Sequence, residues 1–278
     1  MKIALIGLGA IGGSFAMGLK AAGYKEIYGV DLDPNTIATA EKEGLIIKGY
    51  TDAKVLLPDM DLVLLSLYPN QIASFVEQYR DDFKSGLVLT DVTGVKTSIV
   101  EQVMKVLPDT ADFVFAHPMR GSEKKGFIGA DHTRFIGANA LITPIPFNRE
   151  ANLVLVEKVY RDIGFETLSR VTPELHDNQI AYVSQLMHAL SVAVVNSSQA
   201  SEDTLTFAGN SFKELTRIAD INGDLWSELF LNNRSALLNS IEAFEDELDK
   251  LKRTLVEDDE VALKSIFKKA SVQRRNWY

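Results

Sequence analysis

KIALIGLGAIGGSFAMGLKAAGYKEIYGVD, residues 2–31, decides the fold. Its first five residues are a β-branched and Leu-rich run of the kind buried on both faces of a parallel sheet. The run leads directly into Gly7-Leu8-Gly9-Ala10-Ile11-Gly12-Gly13, then into the helical stretch SFAMGLKAAG, then into a second strand ending at Asp31. Strand, GxGxxG, helix, strand and acid in this order are the dinucleotide fingerprint. Gly7 permits the tight turn, Gly9 lets backbone approach a pyrophosphate, and Gly12 lets helix and strand pack closely. The helix N-terminus favours the phosphates. Gly7, Gly9, Ala10, Ile11 and Gly12 are therefore the expected cofactor contacts. Asp31 would accept from a ribose 2′-hydroxyl and repel a 2′-phosphate, and residues 32–38 hold no Arg or Lys to offset the repulsion. The expected cofactor is NAD rather than NADP.

Further strands alternate with helices. Residues 60–67 (MDLVLLSL) and 85–92 (SGLVLTDV) read as buried strands, each followed by a helix; residues 138–145, 148–163 and 165–168 read as strand, helix and short strand. This alternation predicts an open, doubly wound parallel sheet with right-handed crossovers. Ligands on such sheets bind beyond the carboxyl ends of the strands. Ser66, Thr93 and His117 all fall at such ends. Ser66 and Thr93 either meet the cofactor there or satisfy turn and helix-cap groups. His117 opens a polar stretch, HPMRGSEKKGF (117–127), in which Ser122, Glu123 and three cations follow. Arg120, Lys124 and Lys125 are read as solvated charge.

Thr172-Pro173-Glu174 signals a helix start, and from there the pattern is helical to the end, with no second sheet. The expected organisation is a Rossmann-type domain over residues 1–168 and an all-helical domain over 169–278. Asp177, Ala181, Ser184, His188, Ser191, Val195 and Ser198 recur at steps of four and three, a small and polar stripe beside an apolar face, which fits a cavity wall or a tight helix contact. On one continuous helix His176 would lie about 120° round from His188, so the two are not expected to share a metal. Without cysteines, HExxH or clustered acids, no metal site is expected.

The bulk numbers exclude several classes. A net charge of -9 and a pI near 5.1 argue against nucleic acid and against a polybasic membrane contact. The absence of cysteine removes disulfides and thiol catalysis. Four glycines among residues 7–13 break what would otherwise resemble a signal-peptide core, and no segment is long and apolar enough to span a bilayer. A cytoplasmic enzyme is expected.

The fingerprint, HPMRGSE, the His176-Asp177 pair followed at twelve residues by His188, and FKELTRIA with Leu225-Trp226 together resemble the prephenate dehydrogenase family over nearly the whole chain. The resemblance implies NAD- or NADP-dependent conversion of prephenate to 4-hydroxyphenylpyruvate and carbon dioxide, on the route to tyrosine. It implies that His117 is the catalytic histidine, that Ser122 and Glu123 belong to the site wall, and that His188 and Arg217 bind substrate near Trp226. Many members have Gly-Ser before Val-Lys; this chain has Thr93-Gly94, so Thr93 is expected to supply the hydroxyl that supports His117. Many have Ser-His-x-Pro-His; here Gln185 replaces the first histidine and no role is assigned to it. The chain stops at Tyr278, and no regulatory or fused mutase domain is expected. Arogenate, the amino-acid counterpart of prephenate, is the rival substrate, and a non-catalytic NAD-sensing protein is the rival class. The apolar rows of the helical half suggest a homodimer.

Overall fold

The computed structural model describes residues 1–120, 126–197 and 203–277. Two units are compact in themselves, Met1–Asn233 and Arg234–Tyr278.

The first unit opens with β1 (Lys2–Ile6), α1 (Ala10–Ala21), β2 (Glu26–Val30), α2 (Pro34–Lys42) and β3 (Lys48–Tyr50). There follow β4 (Leu62–Leu65), α3 (Pro69–Tyr79), β5 (Val88–Asp91), α4 (Thr97–Val103), β6 (Asp112–Pro118), β7 (Asn139–Thr143), α5 (Glu150–Asp162) and β8 (Thr167–Arg170). Among the described residues these strands form one sheet in the order β3-β2-β1-β4-β5-β6-β7-β8. Alternate residues of β1 feed opposite faces: Ile3 and Leu5 join a core with Phe15, Leu19 and Val156, whereas Ala4 and Ile6 join one with Ile72, Val76 and Ile99. Both faces are covered by helices, which is why the strands read as unbroken apolar runs. Each buried Ile, Leu, Val or Phe among them contributes about 1.5–3 kcal/mol.

The doubly wound plan stands as read, with two differences. β3 is an extra edge strand of three residues that the sequence pattern did not announce. β7 runs antiparallel to β6, with His117 opposite Leu141, whereas every other pair is parallel. The reason lies in the connection. Between Pro118 and Asn139 the described residues hold only two short 3₁₀ turns, Phe127–Gly129 and His132–Phe135, and a chain without a crossover helix returns antiparallel.

The helical part of this unit comprises α6 (Pro173–Ile180), a π-helical turn (Ala181–Gln185), α7 (Leu186–Asn196), α8 (Thr204–Phe207), α9 (Asn210–Arg217) and α10 (Gly223–Asn232). Thr172 caps α6, its hydroxyl accepting from the Leu175 N–H at 3.2 Å, and Pro173 occupies the first turn. The helix that starts at Thr172-Pro173-Glu174 is thus not uniform, and the π turn shifts the phase of α7 relative to α6. Asn232 ties α10 to the sheet domain: its amide reaches Asn70 Oδ1 at 3.0 Å and its carbonyl oxygen accepts from Ser98 Oγ at 2.7 Å. The second unit is a pair of packed helices, α11 (Arg234–Val256) and α12 (Glu260–Trp277), joined through Asp258 at φ 53°, a conformation that aspartate tolerates. No helix of the described residues is long and apolar enough to cross a membrane.

One buried cluster joins the sheet to the loops above it. Lys96 and Asp91 are fully enclosed, with Nζ 2.6 Å from Oδ2. Lys96 Nζ also donates to the Thr93 carbonyl at 2.8 Å, and Asp91 Oδ1 accepts from the Ala116 N–H at 3.0 Å. Burial pushes the Lys96 ammonium towards neutrality and the Asp91 carboxylate opposes it. Removing one partner of such a pair leaves the other charge buried alone, so Lys96→Met should destabilise the protein by about 3–5 kcal/mol in urea unfolding. A loss below about 1 kcal/mol, typical of an exposed pair, would show that the cluster does not hold the strand ends.

Candidate active site

The glycine-rich turn is built as its spacing demands. Gly7 has φ +86°, and a Cβ there would stand 2.5 Å from the Ser66 carbonyl oxygen. A Cβ on Gly12 would come within 1.9 Å of the Gly7 carbonyl oxygen, so helix and strand touch backbone to backbone. At Gly9, by contrast, a Cβ would meet no atom within 4 Å. Gly9 precedes α1 without any side-chain cap, and no acid occupies the first turn. The first N–H groups of the helix, at Ala10, Ile11 and Gly12, therefore have no intrahelical acceptor. An open backbone and uncapped amides at a helix N-terminus suit a pyrophosphate. Asp31 immediately follows β2, and its Oδ2 accepts from the Leu8 N–H at 2.7 Å and its Oδ1 from the Asp33 N–H at 2.9 Å. Each oxygen retains capacity for a ribose hydroxyl. The residues present fit NAD.

A cleft of about 750 Å³ opens from this turn. Gly9, Ala10, Ile11 and Ser66 line one side, Thr93, Gly94 and His117 the floor, and Ser184, His188, Arg217, Asp220 and Trp226 the helical wall. The three strand ends singled out in the sequence are thus gathered into one crevice with the helical residues. Arg120 joins them at the rim; Ser122 and Glu123, with Lys124 and Lys125, lie outside the described residues.

His117 is the second-last residue of β6. Its Cε1–Nε2 edge borders Gly94, where a Cβ would lie 3.6 Å from either atom. Its Nδ1 lies 2.9 Å from Nε2 of His176, with the rings tilted at 59°. Burial, then His176, then the Lys96 ammonium hold the His117 imidazole well below its ordinary pKa. His176 is itself lowered, burial outweighing its bond to Asp177.

The expectation that Thr93 supports His117 is corrected here. The Thr93 hydroxyl bonds Asp91 Oδ2, the Val95 carbonyl at 3.0 Å and Lys96 Nζ at 3.0 Å. Asp91 and Lys96 are stronger, charged partners two and three residues away, and they capture the hydroxyl before it can turn to the imidazole. The neighbour of His117 is His176, to which the sequence reading gave no task. The available signal was its position: a histidine followed directly by an acid, in the first turn of the helix that leaves the last strand.

On the helical wall, His188 Nδ1 donates to the Ser184 carbonyl at 2.9 Å, and its ring stacks on Trp226 with centroids 3.7 Å apart. Arg217 ends α9 with its side chain exposed into the cleft. Gln185 is structural: it donates to the Leu229 carbonyl at 3.1 Å and accepts from Asn233 Nδ2 at 2.9 Å, closing the π turn onto α10.

Residues 15–168 match the nucleotide-binding domain of prephenate dehydrogenase, and residues 172–269 match its dimerization domain. The chain is similar to the prephenate dehydrogenase of Lactococcus lactis subsp. cremoris, 30% identical over 99% of this chain and 77% of the relative. It is also similar to that of Bacillus subtilis, 26% identical over 98% of this chain and 75% of the relative. Among solved structures, prephenate dehydrogenase from Aquifex aeolicus in complex with hydroxyphenyl propionate and NAD+ superposes with a TM-score of 0.91 at 31% identity, covering 100% of this chain and 99% of that one. With a doubly wound sheet, an uncapped glycine turn and a histidine at the mouth of β6, the chain belongs to the prephenate dehydrogenase family.

Proposed function

We propose that the protein catalyses NAD-dependent oxidative decarboxylation of prephenate to 4-hydroxyphenylpyruvate and carbon dioxide. The observation that carries this reading is the position of His117, at the floor of one cleft between an uncapped helix N-terminus and a wall bearing His188 and Arg217. Residues 1–168 serve as the dinucleotide half and 169–278 as the substrate half.

Prephenate is a dianion brought to a protein of charge -9, so local cations must hold it. The Arg217 guanidinium suits one carboxylate through a two-pronged bond. The stacked His188–Trp226 pair offers a flat face and a ring nitrogen on the same wall. The resemblance also assigns Ser122 and Glu123 to the substrate, and both lie outside the described residues.

His117 then acts as the base. Held neutral, it takes the proton of the ring hydroxyl as the carbon bearing it gives up hydride. NAD, bound at Gly7, Gly9, Ala10, Ile11, Gly12, Ser66 and Asp31, supplies the hydride acceptor. Once that carbon has become a carbonyl, the ring carboxylate departs as carbon dioxide and its electron pair passes through the ring onto the same oxygen. The imidazolium can return its proton there, so the phenol forms without net proton uptake. Thr93 acts at one remove, by fixing the turn that ends in Gly94.

A specific observation also favours the rival substrate. Asp220 lines the helical wall of the cleft, and a carboxylate there would favour the ammonium group that distinguishes arogenate from prephenate. NADH formation measured with each substrate, and with NADP in place of NAD, decides both questions. Turnover of prephenate with NAD is expected; turnover of neither would leave a cofactor-binding protein, and equal use of NADP would remove the role given to Asp31. His117→Asn should lower kcat by about 10²–10⁴-fold and Arg217→Ala should act mainly on KM. Because His117 is held below its ordinary value of about 6.5, the acid limb of kcat/KM should fall below that pH.

The same reading includes a homodimer built through the helical half. In the single chain the second unit exposes Leu255, Val256, Val261, Phe267 and Trp277, more apolar surface than a solvated helical pair needs. Light scattering should give twice the 30.7 kDa chain mass; a monomer would overturn this part.

A further inference from the structure

We propose that Asp177 and His176 are positioning residues that fix the tautomer of His117, so that its Nδ1 carries the hydrogen and its Nε2 presents the lone pair to the cleft. The inference rests on His117 being the base and adds the device that makes it one.

The chain of bonds has a single consistent direction. Asp177 accepts from the backbone N–H groups of Lys96 and Thr97, both at 2.8 Å, at the start of α4. Burial alone would raise its pKa, but the bonds from His176 and Thr97 outweigh this and keep it ionised. An ionised carboxylate only accepts, so Nδ1 of His176, 2.7 Å away, must donate to it. A neutral imidazole has one donor and one acceptor, which leaves Nε2 of His176 with a lone pair. That lone pair faces Nδ1 of His117 at 2.9 Å, and two lone pairs at this separation would repel. His117 therefore donates from Nδ1. Its only remaining ring nitrogen, Nε2, is left unprotonated on the edge that borders Gly94 and the cleft.

Water cannot replace this partner, because His176 is 1% exposed. The opposite tautomer would need His176 to be doubly protonated. That cation would sit buried against His117 on β6, 2.9 Å away, and burial, first, with the Lys96 ammonium outweighs the support that Asp177 and Asp91 would give it. When His117 gains a proton at Nε2, its Nδ1–H keeps the same acceptor, and the Asp177 charge is felt through the intervening ring. The base is thus pre-set before substrate arrives and supported after it reacts. Because the rings are coupled, acid inactivation belongs to the pair and not to either histidine alone.

Two measurements test this on the full chain. Nitrogen-15 NMR of ring-labelled histidine at neutral pH should show His117 with a protonated Nδ1 and an unprotonated, pyridine-like Nε2. A protonated Nε2 on neutral His117 would overturn the proposal, whatever the substrate proves to be. In kinetics, His176→Leu should lower kcat by about 10²-fold, against the roughly 10⁴-fold known for a misplaced catalytic tautomer. KM for prephenate and for NAD should stay within about twofold. His176→Gln, whose amide oxygen can occupy the Nε2 position as an acceptor, should recover most of the loss. Unchanged kcat in His176→Leu, or no recovery by Gln from a folded loss, would overturn the positioning role. Should His176→Leu fail to fold, the nitrogen spectrum of the unaltered protein still decides. If instead His117→Asn proved active, the base assignment would fail while the tautomer result stood on its own.

Discussion

The ion pair between Lys96 and Asp91 is the constraint on which the rest of the structure depends. Two opposite charges without solvent contact are unfavourable to bury unless every donor and acceptor is used, and here they are used on backbone that matters. Asp91 holds the Ala116 N–H, one residue before His117, and the turn through Thr93. Lys96 holds the Thr93 carbonyl, and its own N–H is given to Asp177 of α6. The carboxyl ends of β5 and β6 and the first turn of the helical part thus meet in one cluster. A site whose walls come from distant parts of the chain needs such a junction, because a displacement of even 1 Å at the reacting groups is costly.

Much of this was legible beforehand, for stated physical reasons. The glycine spacing could be read because backbone contacts at Gly7 and Gly12 exclude any side chain, and such exclusions leave a mark in the sequence. His117 could be placed because a buried apolar run must end before a polar loop begins. The direction of β7 could not: periodicity tells how a strand is buried but not which way it runs, and the described residues of the connection hold only two short 3₁₀ turns. β3 was invisible because three residues at an edge, Lys48 to Tyr50, carry too little pattern. The role expected of Thr93 comes from a motif comparison, which carries no partner geometry; a hydroxyl goes to the strongest partner within reach, and Asp91 with Lys96 outcompetes an imidazole. The pairing of His117 with His176 spans 59 residues and leaves no periodic trace.

The helical wall shows a similar division of labour. His188 and Trp226 stack at the cleft, while Gln185, three residues before His188, turns inward to Leu229 and Asn233. Gln185, left without a role in the sequence reading, is therefore taken up in packing, where an amide that both donates and accepts is well suited.

The π turn at Ala181–Gln185 has a consequence for how the two functional faces of this segment are phased. Such a turn is a helix carrying one residue more than its hydrogen-bond ladder needs. Each residue of a regular helix advances the chain by about 100°. The supernumerary residue therefore sets His176 towards the sheet and His188 towards the cleft independently of heptad or 3.6-residue rules. Excising one residue here would restore an unbroken helix and swing α7, with His188, by about that angle relative to α6. The register of that one extra residue, as much as the identity of any side chain, sets His176 against His117 and His188 against the cleft.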